Sequence, residues 1–216
     1  MEITAEKIMQ QLSAGTQVAG VIAVFGEEGY YKDKIAAALP RAVFGDAAPE
    51  DREITVFERD TDIKEISAAV NTYFFSGRSL VIIKDEKLWG GKDGGEKRKQ
   101  QQEELAELLA DVPEHCQVLL LGEKIDKRGK LYKSLLKTAA MVECKSLKSY
   151  QLKPWLDEQA ALRGCRFDYE ASQTIMEYLS VTDNAPLLLL EQEIEKLSVY
   201  AGERKIWTKD DIEQTF

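Results

Sequence analysis

The chain has 216 residues, 44% hydrophobic and 31% charged, with a formal net charge of −9. That apolar fraction excludes a disordered chain, and the length suits one large domain or a medium domain with a small one. The acidic balance argues against a protein that relies on its own cations to grip nucleic acid, and no apolar run approaches the ~18 residues of a membrane span.

The N-terminal segment, MEITAEKIMQQL, has no basic flank followed by an apolar core, so it does not read as a signal peptide. A cytoplasmic, membrane-free protein is the expectation. Residues 4–13 predict a helix capped by Thr4, with Ile8, Met9 and Leu12 at helical spacing. The run 18–25 is apolar throughout, which suits a strand buried on both faces. A helix at about 30–39, a strand at 53–57, a helix over 62–75 and a strand at 79–83 follow. Four glycines within 90–95 predict a loop. Then come a charged helix over 96–111, a strand at 117–121, a helix over 128–137 and a strand at 140–144. Strands alternating with helices predict an α/β fold with a mostly parallel five-stranded sheet and flanking helices. After about residue 148 the pattern turns helical: 150–163, 169–180, 185–200 and a short helix from Thr208, with Asn184 and Pro186 at the start of the third. The domain reading is therefore 1–148 α/β and 149–216 helical.

Catalytic chemistry has little to draw on. The single histidine, His115, offers neither a metal cluster nor a Ser-His-Asp triad, and Cys116, Cys144 and Cys165 lack metal-ligand spacing and read as buried thiols in a reducing compartment. The first strand runs into Gly26-Glu-Glu-Gly-Tyr-Tyr-Lys-Asp33, where a nucleotide hydrolase places its phosphate loop. Gly26, Gly29 and Lys32 are the remnants of such a loop, but no Gly-Lys pair exists and Asp33 stands where a hydroxyl is needed. Glu27 and Glu28 would repel a polyphosphate, so the expectation is no working nucleotide site, no cofactor and no metal. Lys84-Asp85-Glu86 at the exit of the third strand reads as a charged strand end, not a magnesium site.

Two features point to partners. On a helix over 62–75, Ile63, Ile66, Val70 and Tyr73 form one stripe, Phe74 lies at its edge and Phe75 about 120° from its start. Either the last turn unwinds and Phe75 tucks inward, or the ring meets a partner. Residues 122–137 are basic, and Lys124, Lys127 and Arg128 are candidates for a phosphate-facing patch, the alternative being a solvated helix face.

The ordered segments 26–31, Tyr-Phe-Phe-Ser-Gly-Arg-Ser-Leu-Val-Ile-Ile at 73–83, 119–133, Val-Glu-Cys-Lys-Ser-Leu-Lys at 142–148 and 190–202 together resemble the clamp-loader delta subunits of bacterial DNA polymerase III. The resemblance covers essentially the whole chain. It implies an AAA+-type α/β domain without a working nucleotide site, followed by a small all-helical lid domain. It also implies a non-catalytic subunit that binds and helps open the DNA sliding clamp in replication. Its partners would be the clamp (the beta subunit), the other loader subunits, and DNA indirectly through the complex. Alignment on Arg78 carries the family's clamp-inserting pair onto Phe74 and Phe75, with Tyr73 beside them. The family's third, collar domain would lie beyond Phe216. The competing functions are a nucleotide-hydrolysing AAA+ ATPase, which the loop at 26–33 argues against, and a nucleic-acid-binding module using 124–137.

Overall fold

The structure, a computed structural model, describes all residues except 17, 60, 75–76, 85–94 and 181–185, together with the side chain of Lys97. The chain divides into two compact units, Met1–Lys145 and Ser146–Phe216.

The first unit is built on five strands: β1 (Val21–Phe25), β2 (Ile54–Phe57), β3 (Ser79–Ile83), β4 (Cys116–Gly122) and β5 (Ala139–Glu143). They pair in the order β2-β3-β4-β1-β5, and every pairing is parallel. Continuous apolar sequence explains the centre of this sheet: β1 and β3 are buried at every position, as strands covered on both faces must be. Side chains alternate between faces along a strand. Val21, Ala23 and Phe25 join a core with α3 (Ile63–Asn71), α4 (Gly95–Leu108) and α5 (Lys130–Thr138) through Ile66, Val70, Leu105 and Leu135. Ile22 and Val24 point to the other face, with no exposure at all. The helices α1 (Ala5–Ser13) and α2 (Gly29–Phe44) pack on each other, and α2 on β3 and β4. Residues 1–3 cover the outer edge of β5: Met141 N–H donates to Met1 O and Ile3 N–H to Met141 O, both at 2.9 Å.

Two boundaries differ from the sequence expectation. The helix expected to stop near residue 39 runs on through Pro40 to Phe44. A proline inside a helix costs about 3 kcal/mol. Leu39 and Val43, buried on either side of it, offset that by docking the last turns. The helix expected over 62–75 stops at Asn71. Asn71 Nδ2 donates to Ser67 O at 2.8 Å and Thr72 Oγ1 to Ala68 O at 2.7 Å. These side chains close the last turn, and Thr72 leaves it in an extended conformation (ψ 124°). The expected loop over 90–95 lies outside the described residues except for Gly95, which opens α4.

The second unit holds α6 (Ser149–Leu162), α7 (Tyr169–Ser180), α8 (Leu187–Ala201) and α9 (Lys209–Thr215). It also holds a two-residue parallel ladder, β6 (Arg166–Phe167) with β7 (Ile206–Trp207), which hydropathy patterning did not reveal. Two residues are too few to show a period. The ladder brings Phe167 against the fully buried Trp207, ring centroids 5.2 Å apart. Asn184, the expected cap of α8, lies outside the described residues, and Pro186 stands at the cap position instead.

Candidate partner-binding site

The segment 72–78 between α3 and β3 carries the aromatic residues singled out above. Its start is fixed by Thr72, whose backbone N–H donates to Ala68 O at 3.0 Å. Its end is fixed where Ser79 N–H donates to His115 O at 2.9 Å, at the first paired position of β3 and β4. Between these ties Gly77 adopts a positive φ of 76° and donates its N–H to Phe74 O at 2.9 Å. That bond closes a turn at a conformation glycine adopts without strain.

The side chains follow from that backbone. Tyr73, placed by helical periodicity on the buried stripe, is 70% exposed. The stripe ends with the helix at Asn71, so a rotation of 100° per residue no longer applies beyond it. The Tyr73 ring is not free of the protein: it meets the edge of His115, with centroids 5.3 Å apart and planes at 77°. Phe74 is half-buried, and Phe75 lies outside the described residues. His115, the single histidine, lies just before β4. It is half-buried, and its Nε2 is enclosed with no hydrogen-bond partner among the described residues.

The loop at 26–33, read above as a degenerate phosphate loop, is filled by the protein's own groups. Glu28 is 9% exposed and stands at the N-cap of α2, where its carboxylate accepts the Tyr30 N–H at 2.9 Å. A built-in anion thus sits at the helix end where a phosphate would bind. Lys32, which in a working loop would reach outward, donates to Gly26 O at 2.8 Å. The residues flanking Gly26 are held beside β5: Cys144 N–H donates to Phe25 O at 2.7 Å and Glu28 N–H to Cys144 O at 3.1 Å. Burial pushes the Cys144 thiol up to about 12, so it has no nucleophilic role at neutral pH. Cys116 is buried too, whereas Cys165 is half-buried, contrary to the uniform expectation. Lys84 lies 3.7 Å from Glu58, and Asp85 and Glu86 lie outside the described residues.

The basic stretch is partly neutralised. Lys127 Nζ lies 2.8 Å from Glu143 and over the Phe25 ring at 5.8 Å. Burial alone would raise the Glu143 carboxyl, but Lys127 and Lys145 outweigh it and hold the group below its ordinary value. Lys124 and Arg128 are exposed. Arg128 lies in a turn fixed by Asp126, which accepts the N–H groups of Arg128 and Gly129. This turn and the start of α4 enclose a cavity of about 410 Å³ lined by Arg98, Lys99, Arg128 and Lys130 as well as Glu103 and Asp126. Lys130 pairs with Glu103 at 2.7 Å across it. Of the three candidate phosphate-facing residues, only Arg128 lines this cavity. Arg98 and Lys99 escaped the sequence reading because the packing of α4 against α5, not proximity in sequence, brings them there. Among the described residues no group of acids, cysteines and histidines could hold a metal, and no helix is long and apolar enough to cross a membrane.

A family model described as DNA polymerase III, delta subunit matches residues 25–145. The chain is 28% identical to the DNA polymerase III subunit delta of Bacillus subtilis over 200 residues, covering 91% of this chain and 56% of that protein. The solved structure of the Bacillus subtilis DNA clamp loader delta protein superposes with a TM-score of 0.75 at 25% identity, over 97% of this chain and 61% of the other. The chain thus spans little more than half the length of the relatives it matches.

Proposed function

The chain belongs to the DNA polymerase III delta subunit family, and from that premise we propose that it is the clamp-contacting part of a clamp-loader delta subunit. The observation that carries this reading is the segment 72–78. It is tied at both ends to regular structure, yet it holds a tyrosine ring 70% in solvent beside a half-buried phenylalanine. An apolar group that a fold leaves outside, on a backbone it holds in place, is what a preformed contact needs. Tyr73, Phe74 and Phe75 are the contact residues in this reading.

Opening a ring requires no bond chemistry from this chain. A partner that binds a strained clamp interface more tightly than a relaxed one shifts the clamp toward the open state by that difference. The Glu28 carboxylate at the start of α2 supports a subunit that neither binds nor hydrolyses ATP and needs no cofactor. The nucleotide-driven steps would then belong to the other loader subunits in the cytoplasm. The unit 146–216 serves as the lid in this scheme. Binding of the chain to its cognate sliding clamp, measured by surface plasmon resonance, tests the reading. Absence of binding at micromolar clamp would reject it.

A second reading, compatible with the first, has its own observation. The cavity bounded by Arg98, Lys99, Arg128 and Lys130 gathers four cations against two carboxylates, Glu103 and Asp126, on a chain of net charge −9. With Lys124 and Lys127 nearby in sequence, it offers DNA phosphates a local contact when the assembled loader brings DNA close. Affinity for duplex DNA that falls steeply with salt, and less steeply after Arg128→Ala, is the outcome that supports it.

A further inference from the structure

We propose that His115 is a positioning residue for the partner-contacting segment: its imidazole props Tyr73 and thereby sets the direction in which residues 73 and 74 face a partner. The inference rests on the clamp reading above. His115 precedes β4, which lies between β3 and β1 in the sheet and whose Val118, Leu119 and Leu120 have no exposure. Tyr73 lies beyond the end of α3, near the ties at Thr72, Gly77 and Ser79. Those ties fix the backbone at its two ends and at one turn. None of them restrains the Tyr73 ring. The edge-to-face contact with His115, 5.3 Å between centroids, does. The same residue is fastened by its carbonyl to Ser79, so one residue sets both the end of the segment and the ring near its start.

Chemistry favours a positioning role over a structural one. The His115 Nε2 makes no hydrogen bond to any described residue, so truncation forfeits none there. Tyr73 is mostly in solvent, so its packing adds little to the core. What the pair supplies is a restricted set of ring orientations before a partner arrives, which lowers the ordering cost of binding.

The test is the affinity of the chain for immobilised sliding clamp, with melting temperatures alongside. His115→Ala weakens binding about threefold to tenfold, the scale of one aromatic edge contact, with the melting temperature nearly unchanged. His115→Phe, which keeps an aromatic edge, restores it. In a Tyr73→Ala background, His115→Ala has no further effect. Wild-type affinity in His115→Ala overturns the proposal, and so does an undiminished loss in the Tyr73→Ala background. Phe74→Ala, run in parallel, separates the two ideas. If it weakens binding while His115→Ala does not, the prop is rejected and the clamp reading stands. If neither Phe74→Ala nor Tyr73→Ala changes binding, the clamp reading falls and the prop with it.

Discussion

Gly26 lies so close to Cys144 that a Cβ at position 26 would sit 2.0 Å from the Cys144 carbonyl oxygen and 2.6 Å from its carbonyl carbon. Both atoms belong to backbone, so no side-chain movement relieves the overlap. The φ of 132° at Gly26 is a second obstacle, since side chains disfavour that region. This glycine therefore has a structural role in the turn from β1 to α2. Gly26→Ala is expected to lower stability by roughly 2–5 kcal/mol through backbone strain and overpacking. Urea unfolding followed by circular dichroism reads it. By contrast, a Cβ at Gly29 would meet nothing within 4 Å, and Gly29→Ala should be close to neutral.

The same loop gives a prediction about nucleotide. Calorimetric titration with ATP and magnesium should show no binding, because the Tyr30 N–H is already bonded to the Glu28 carboxylate and Lys32 to Gly26 O. Glu28→Ala removes an N-cap acceptor and should cost about 1 kcal/mol. It should not create an ATP site, since no hydroxyl follows Lys32 to hold a metal. Micromolar ATP affinity that depends on Lys32 would contradict the reading.

Asp211 makes the second unit sensitive to acid. Its carboxylate, 3% exposed, accepts Thr208 N–H and Oγ1–H at 2.9 Å each and meets Arg204 at 2.7 Å. Burial alone would raise this carboxyl, but the Thr208 and Arg204 donors outweigh it and hold the group below the ordinary value. A carboxyl with a depressed folded value stabilises fully above its unfolded value of about 3.9, and that stability fades as pH falls through the folded value. Asp211→Asn should therefore cost about 1–3 kcal/mol at pH 7. The gap between wild type and variant should narrow below about pH 4, as thermal melts across pH would show.

Which parts of this molecule can be read from its sequence depends on the range of the forces involved. The run from Val21 to Phe25 is apolar at every position, and only a two-sided sheet buries such a run, so the parallel sheet follows from local pattern. The end of α3 does not, because it depends on whether Asn71 and Thr72 turn back on Ser67 and Ala68 or leave those carbonyls to a next turn. That choice decides whether Tyr73 is core or surface. The contact of Tyr73 with His115 spans 42 positions and exists because β3 and β4 start side by side. Pattern analysis has no access to such a pair. The loop at 26–33 was legible in its chemistry, since two glutamates repel phosphate wherever they stand, but not in its geometry, in which Glu28 caps α2.

The partner surface yields the most direct prediction. Phe74 is half-buried, which in the proposed reading leaves part of it for a partner. Aromatic anchors at interfaces are commonly worth about 2 kcal/mol or more on truncation, which is more than tenfold in affinity. Phe74→Ala should weaken clamp binding by roughly that factor and lower the melting temperature by a few degrees, because the buried part of the ring is lost as well. Adding Phe75→Ala, at the position the family resemblance pairs with it, should weaken binding further. Lys127→Ala is the control. Lys127 pairs with Glu143 at the surface, where such pairs contribute about 0–1 kcal/mol, so stability and clamp affinity should both hardly change. Affinity measured by surface plasmon resonance and melts by calorimetry separate the outcomes. If Phe74→Ala drops the melting temperature by many degrees and leaves clamp affinity intact, its ring is a core element. The contact surface would then lie away from the 72–78 segment.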